Sequence, residues 1–156
     1  MMKRVLFISS GGGHLEELLQ LSKLFEKCDY LLVSEKTKAT TFLNDKYKNV
    51  SYLIYGTMDH LLPYLFIFPI NIVLSLIIFL KFKPDYIIST GTHTAVPMCY
   101  IAHFFKKKVI FIETMANSKT PTKAGKMVYK IADKFIVQWE SMLEIYPDAE
   151  YWGCIF

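Results

Sequence analysis

Short, largely apolar runs alternate with longer segments of mixed polarity along the chain. Each run has the length of a buried strand and is bounded by turn residues or by polar residues. A continuous apolar run is typical of a strand in a parallel sheet that is covered on both faces. The predicted strands are Val5–Ile8, Tyr30–Val33, Val50–Ile54, Asp85–Ile88, Val109–Ile112 and Lys134–Val137.

Helices are predicted between these strands. Residues His14–Lys27 carry leucines at intervals of mostly three and four, the spacing of one helix face. Alternating strands and helices predict right-handed crossovers. We therefore expect an α/β fold, a Rossmann-like parallel sheet with helices on both faces, built by residues 1–156 as one domain. The other predicted helices are Thr37–Asn44, Pro69–Phe82, His93–Phe105, Gly125–Ala132 and Ser141–Ile145.

The segment Leu61–Leu80 contains no charged residue. It is long enough to cross a bilayer, but two prolines and Asn71 interrupt it. A crossing would also place strands of one sheet on opposite sides of the membrane, so we do not expect a span. A crossover helix buried against the sheet is one alternative. A surface helix, however, needs a polar outer face, and this segment offers mainly Asn71 and Ser75.

We therefore favour insertion of residues 61–82 into the membrane interface over burial by a partner or in the core. Lysines near the end of the segment, and the basic run Lys106–Lys108, would lie close to anionic headgroups. The residues expected to face the membrane are Phe66, Ile70, Val73, Leu74, Ile77, Ile78, Lys81 and Lys83.

Composition supports a covered apolar surface. The chain is 53% hydrophobic with a mean hydropathy of +0.27, which is apolar for a soluble domain of this size. The net charge of +4 suits an anionic lipid surface or a phosphorylated ligand and does not call for nucleic acid. The three cysteines lack metal-ligand spacing and no Asp-x-Asp cluster occurs, so we predict neither a metal nor a cofactor. The first apolar run is too short for a signal sequence, and we expect no export.

Two glycine-bearing loops follow predicted strands, at Ser9–His14 and at Ser89–Pro97. In a doubly wound sheet, ligands bind beyond the carboxyl ends of the strands. Glycines allow the backbone to approach a ligand, and the helix N-termini that follow offer free N–H groups. The loops therefore predict a site for a phosphate or pyrophosphate, although a tight turn without a ligand remains an alternative. The candidate residues are Ser10, Gly11, Gly12, Gly13, Thr90, Gly91, Thr92, His93 and Thr94.

Three titratable side chains are expected at the same edge of the sheet. His14 begins a helix, where the positive end of the helix dipole disfavours imidazolium, so the neutral ring could accept a proton. It is a candidate general base, with helix capping as the alternative. His93 occupies the equivalent place in the second loop and would contact a ligand or cap its helix. Glu113 ends an apolar strand and is a second candidate catalytic residue, with a capping or ion-pairing role as the alternative.

The order of several motifs resembles a known family. S-S-G-G-G-H follows the first strand, K-P-D-Y-I-I-S-T-G follows the apolar segment, and F-I-E-T comes next. G-K-M-V-Y-K-I-A-D-K-F-I-V-Q-W and Y-P-D-A-E-Y-W-G complete the series. This order resembles the PssD-type polysaccharide biosynthesis proteins. These are bacterial relatives of the membrane-anchoring subunit of the N-acetylglucosaminyltransferase that acts on dolichol-pyrophosphate-linked N-acetylglucosamine. More distantly it resembles the N-terminal half of MurG, a GT-B glycosyltransferase.

The resemblance implies the acceptor-binding half of a split, inverting hexosyltransferase that contributes to capsular or exopolysaccharide synthesis. A separate donor-binding subunit would supply the UDP-sugar, and the acceptor would be a sugar on a lipid-linked pyrophosphate. The chain would lie peripherally on the cytoplasmic face of the plasma membrane. Eukaryotic members anchor through an N-terminal transmembrane helix, which is not evident here, so the apolar segment becomes the expected membrane contact. The family docks its partner through its C-terminal end, here Tyr151, Trp152, Ile155 and Phe156.

Two other functions remain open at this stage. The chain could be a non-catalytic subunit that recruits and activates a catalytic glycosyltransferase at the membrane. It could also be a stand-alone nucleotide-binding Rossmann protein.

Overall fold

The computed structural model describes residues 2–56 and 61–155. Within these residues a single parallel sheet contains seven strands in the order β3-β2-β1-β4-β5-β6-β7. The order reverses between β1 and β4, which is the switch point of a doubly wound sheet. The strands are β1 Arg4–Ser9, β2 Asp29–Lys36, β3 Val50–Ile54, β4 Tyr86–Gly91, β5 Lys108–Ile112, β6 Lys134–Val137 and β7 Glu150–Tyr151.

Helices connect the strands and cover both faces of the sheet. Short 3₁₀ segments extend or replace some of the predicted helices, at Leu21–Lys27, Lys38–Thr40, His93–Ala95 and Glu140–Glu144. The helices are α1 Gly13–Gln20, α2 Leu43–Lys46, α3 Leu61–Phe82, α4 Val96–Phe104 and α5 Lys123–Val128. The predicted α/β, Rossmann-like architecture is confirmed.

Alternate residues of β1 point into two separate cores, because successive side chains of a strand project to opposite faces. Leu6 and Ile8 join the core beneath α3, α4 and α5. Val5 and Phe7 join the core beneath α1 and the 3₁₀ segment after it. All four side chains are buried, as the continuous apolar run predicts.

Helix α3 is longer than its prediction and turns its polar residues inward. Asn71 and Ser75, the main polar residues of this apolar segment, are both buried. The Asn71 side chain bonds both backbone groups of Ile54, accepting from its N–H at 2.9 Å and donating to its C=O at 2.8 Å. Asn71 thus satisfies the end of an edge strand, whereas the Ser75 hydroxyl is buried without a hydrogen-bond partner among the described residues. By length and composition α3 could span a membrane, and little of it is buried.

Most of the outer face of α3 is apolar. Phe66 is 73% exposed, and Ile70, Val73 and Ile77 are also exposed, as are Lys81 and Lys83 near the end of the helix. Leu74 and Ile78, which were expected on this face, instead pack against the core. The helix period explains this, because both lie beside the buried residues Ser75 and Phe79 on the inner side.

Candidate functional site

The loops after β1 and β4 meet at the switch point. The N–H of Ser10 donates to the carbonyl of Gly91 at 3.2 Å. His14 and Thr90 are joined twice: the His14 Nδ1 lies 2.8 Å from the Thr90 carbonyl, and the Thr90 hydroxyl donates to the His14 carbonyl at 2.6 Å. The predicted meeting of the two loops at one edge is thus confirmed.

These contacts determine which nitrogen of His14 carries the proton. A carbonyl oxygen can only accept, so Nδ1 must be the donor to Thr90, and in the neutral ring Nε2 is left as an acceptor. No hydrogen bond to Nε2 is formed within the described part of the chain. The ring is half-buried. The imidazole is therefore fixed in orientation, with one nitrogen able to receive a proton.

Gly91 makes room for this ring. Its φ is +105°, a conformation that residues with a side chain rarely adopt. A Cβ at this position would lie 3.2 Å from the His14 Nδ1 and 3.3 Å from its Cε1. Both the backbone angle and the close ring contact therefore require glycine here.

A cavity of about 670 Å³ opens beside the first glycine loop, Ser9–His14. Its volume is in the range of small-ligand pockets. It is lined by Ser10, Gly11, Gly12, Glu35, Lys36, Thr37, Ala39, Tyr55, Gly56, Thr92 and His93. His93 contacts the Gly56 carbonyl through Nε2 at 3.1 Å and the Thr92 hydroxyl through Nδ1 at 3.3 Å. Several predicted binding residues thus line one cavity, whereas His14 is not among them.

Glu35 is an acidic side chain of this cavity that the sequence reasoning missed. It lies near the end of β2, is 3% exposed, and accepts a short 2.5 Å hydrogen bond from the Thr94 hydroxyl. Its other oxygen accepts a long hydrogen bond of 3.4 Å from the N–H of Gly11. The sequence of β2 could have indicated Glu35, because Ser34 and Glu35 interrupt the apolar run near the carboxyl end of the strand.

Glu113, the second predicted catalytic residue, is 2% exposed and bonded on both carboxylate oxygens. One oxygen accepts from the Thr122 hydroxyl at 2.8 Å and from the N–H of Thr114 at 3.2 Å. The other accepts from the Tyr146 hydroxyl at 2.9 Å. Burial, together with the charge of Glu113, raises the pKa of Tyr146 well above its usual range, so this hydroxyl stays a donor.

Glu113 thereby fixes the start of α5. Thr122 caps this helix by accepting from the N–H of Gly125 at 2.8 Å while it donates to Glu113. A Cβ at Gly125 would overlap the Glu113 carboxylate. The contacts of Glu113 are thus with the loop after β5 and with Tyr146.

Glu17 is a further buried acid that the sequence reasoning missed. It lies one turn after His14 on α1 and accepts from the Thr114 hydroxyl and from the N–H of Met115, both at 2.9 Å. Its Oε2 is buried without a hydrogen-bond partner among the described residues. Glu17 therefore fixes the loop after β5 against the helix that carries His14.

The C-terminal segment lies across the carboxyl end of β6. Trp152 is 60% exposed and Tyr151 is also exposed, whereas Ile155 is half-buried and its N–H donates to Gln138 at 3.0 Å. Phe156, the fourth predicted partner-binding residue, lies outside the described residues. An exposed aromatic pair is therefore present where a partner was expected.

Comparison with known proteins decides the family. Residues 61–155, more than half of the chain, match the family described as "Oligosaccharide biosynthesis protein Alg14 like". The chain belongs to this Alg14-like family. The match includes α3, the loop after β4, Glu113 and the C-terminal segment, but not the first glycine loop.

Curated relatives carry the name UDP-N-acetylglucosamine transferase subunit ALG14. The chain is 37% identical to the Candida albicans protein over 87 residues, which are 52% of this chain and 40% of that protein. It is 32% identical to the human protein over 81 residues, 48% of this chain and 38% of that one. The aligned region thus spans about two fifths of these relatives. The Schizosaccharomyces pombe relative is 29% identical over 175 residues, covering 98% of this chain and 83% of that protein.

Solved structures show the same fold at low sequence identity. MurG from Acinetobacter baumannii is similar with a TM-score of 0.77 and 16% identity, over 96% of this chain and 44% of that chain. UDP-N-acetylglucosamine 2-epimerase from Rickettsia bellii is similar with a TM-score of 0.72 and 16% identity, over 99% of this chain and 46% of that chain. The chain therefore has the fold of one half of a GT-B protein.

Proposed function

We propose that this Alg14-like chain is the acceptor-binding, membrane-associating subunit of a two-subunit inverting glycosyltransferase. It would help move a hexose from a UDP-sugar to a lipid-pyrophosphate-linked acceptor, in capsular or exopolysaccharide synthesis of the PssD type. The observation that carries the proposal is family membership, since the curated relatives are named as subunits of a UDP-N-acetylglucosamine transferase.

His14 is the proposed general base. Its Nε2 would accept the proton of the acceptor hydroxyl while that oxygen attacks the anomeric carbon of the donor sugar. The bond between this carbon and the diphosphate oxygen breaks as the new bond forms on the opposite face, and UDP leaves. The two hydrogen bonds between His14 and Thr90 fix the orientation of the ring for this step. Glu113 would act indirectly, through the loop after β5.

A donor-binding partner is proposed to complete the site. Tyr151, Trp152 and Ile155 support a docking surface next to the carboxyl ends of the strands, where the nucleotide sugar has to meet the acceptor. The test is co-expression with such a subunit, followed by transfer assays of each subunit alone and of both together. We expect transfer only from the pair. A partner that is active alone and merely stimulated would instead favour a recruiting, non-catalytic subunit, and tight UDP-sugar binding by this chain alone would favour a nucleotide-binding protein.

The outward apolar face of α3 supports peripheral attachment to the cytoplasmic membrane surface. A helix that exposes Phe66, Ile70 and Val73 to water is unfavourable, and burial in the headgroup region removes this cost. Lys81 and Lys83 are exposed at the C-terminal end of this helix, where they would meet anionic headgroups.

This attachment is testable by sedimentation with vesicles of mixed zwitterionic and anionic phospholipid. We expect Ile77→Lys to weaken partition at least about tenfold, since a charge replaces a lipid-facing side chain. Leu24→Lys is the matched control, because Leu24 is similarly exposed but lies in the 3₁₀ segment after α1. Equal partition of the two variants would remove the support for insertion through α3.

A further inference from the structure

The cavity beside the first glycine loop contains a carboxylate, which is an unusual feature for a site expected to hold phosphate. Glu35 lies in its lining together with glycine backbone, two threonines and an exposed tyrosine. A phosphate group brought into this cavity would meet the charge of Glu35 at close range, and such a like-charge contact is unfavourable. The cavity also contains Lys36, but this side chain is exposed to solvent and is therefore well screened.

The glycine loop directs its first N–H to the same carboxylate. Phosphate-binding loops leave such N–H groups free for the ligand, whereas here the N–H of Gly11 donates to Glu35. The Thr94 hydroxyl also donates to Glu35 and is no longer free to donate to an anion. The Glu35 carboxylate thus takes up the hydrogen-bond donors that an anionic ligand in the cavity would need.

We infer that this cavity binds an uncharged sugar residue that carries hydroxyl or amide donors, with Glu35 as the acceptor that selects it. An ionised carboxylate can accept at about four positions, and the described contacts use two of them. Hydrogen bonds to a charged acceptor are about twice as strong as neutral ones. The half-exposed ring of Tyr55 offers an apolar face for the C–H side of a sugar.

The inference rests on the proposed function and divides the acceptor into two parts. The sugar enters the cavity against Glu35, and the diphosphate stays outside the cavity. The predicted phosphate or pyrophosphate site at the two loops is thereby limited to the region outside the cavity.

Titration of the isotope-labelled chain in detergent, followed by amide resonances, tests the assignment. The probes are N-acetylglucosamine and, separately, inorganic pyrophosphate. We expect the sugar to shift the amides of Gly11, Lys36 and Gly56 and pyrophosphate to leave them in place. Glu35→Gln should weaken sugar binding about tenfold. Glu144→Gln, a change of the same charge on an exposed 3₁₀ residue, should have no effect.

Ala39→Trp keeps the proposal testable if loss of Glu35 disturbs folding. Ala39 is exposed at the cavity lining, so a large ring there should block the sugar while Glu35 keeps its contacts. Unchanged sugar binding in both variants, or equal shifts of the three amides with pyrophosphate, would overturn the assignment. Transfer by the complex with an acceptor KM unaffected by Ala39→Trp would also overturn it. Sugar binding in the cavity without transfer by any complex would instead defeat the proposed function and leave the subsite intact.

Discussion

His14 follows β1 and Glu113 follows β5 at the same edge of the sheet, with β4 between these strands, yet their surroundings differ. His14 uses one ring nitrogen to bind Thr90 and keeps the other available. Glu113 is buried, and each of its oxygens already accepts at least one hydrogen bond from the protein. Sequence position at the end of a strand therefore does not separate a side chain with an unbonded nitrogen from one whose oxygens already accept hydrogen bonds from the protein.

The largest expected effect is that of His14→Ala on transfer. Loss of a general base typically lowers the rate by a factor of about 10² to 10⁴. Folding stability should change by less than about 1 kcal/mol, because the ring is only half-buried. Steady-state transfer by the complex and urea unfolding of the chain are the two measurements. A wild-type rate in this variant would show that His14 carries no chemistry.

Glu113→Ala should have the opposite effect, with a large loss of stability and a small change in the transfer rate. It leaves the buried donors of Tyr146, Thr122 and Thr114 without their acceptor, for which we expect a loss of about 3 kcal/mol in the free energy of unfolding. The rate per folded molecule should stay within a few-fold of wild type. Glu144→Ala, at an exposed site, is the stability control. Full stability with a lost rate would place Glu113 in contact with the substrate.

Gly91→Ala tests the contact between the two glycine loops. The added Cβ would meet the His14 ring at 3.2 Å in a backbone conformation that disfavours any side chain, so we expect a loss of about 1–2 kcal/mol. The displaced ring should also lower the transfer rate. Gly153→Ala shares the positive φ, but a Cβ there has no neighbour within 4 Å, so it is the control for the stability loss that the backbone angle alone causes. If Gly91→Ala transfers at the wild-type rate, the ring contact has no catalytic role.

Tyr146→Phe is expected to have the smallest effect of the four. It removes one donor to Glu113, while the contacts with Thr122 and Thr114 remain. We expect a loss of about 1 kcal/mol in unfolding free energy and no change in rate. A loss as large as that of Glu113→Ala would mean that the Tyr146 hydroxyl supplies most of the stabilisation at Glu113.

Hydrophobic patterning was sufficient for six of the seven strands, because buried parallel strands are largely continuous apolar runs, whereas the short, exposed β7 has no such run. The same patterning indicated that α3 lacks a polar outer face, but it could not show where the two polar residues of the helix lie. Asn71 is inside because the backbone groups of Ile54 need partners, a requirement that only the tertiary contact reveals. Glu35 and Glu17 escaped attention for a related reason. Their neighbours in space, Thr94 and Thr114, are far away in sequence.

The Asn71 side chain fixes the position of α3 relative to the cavity. It joins the apolar helix to the backbone of Ile54, and Tyr55 and Gly56 of the cavity follow immediately in the chain. If α3 lies in a lipid surface as proposed, this contact would set the distance between the cavity and the headgroups. The proposed acceptor would then need a lipid-to-sugar length that matches this distance.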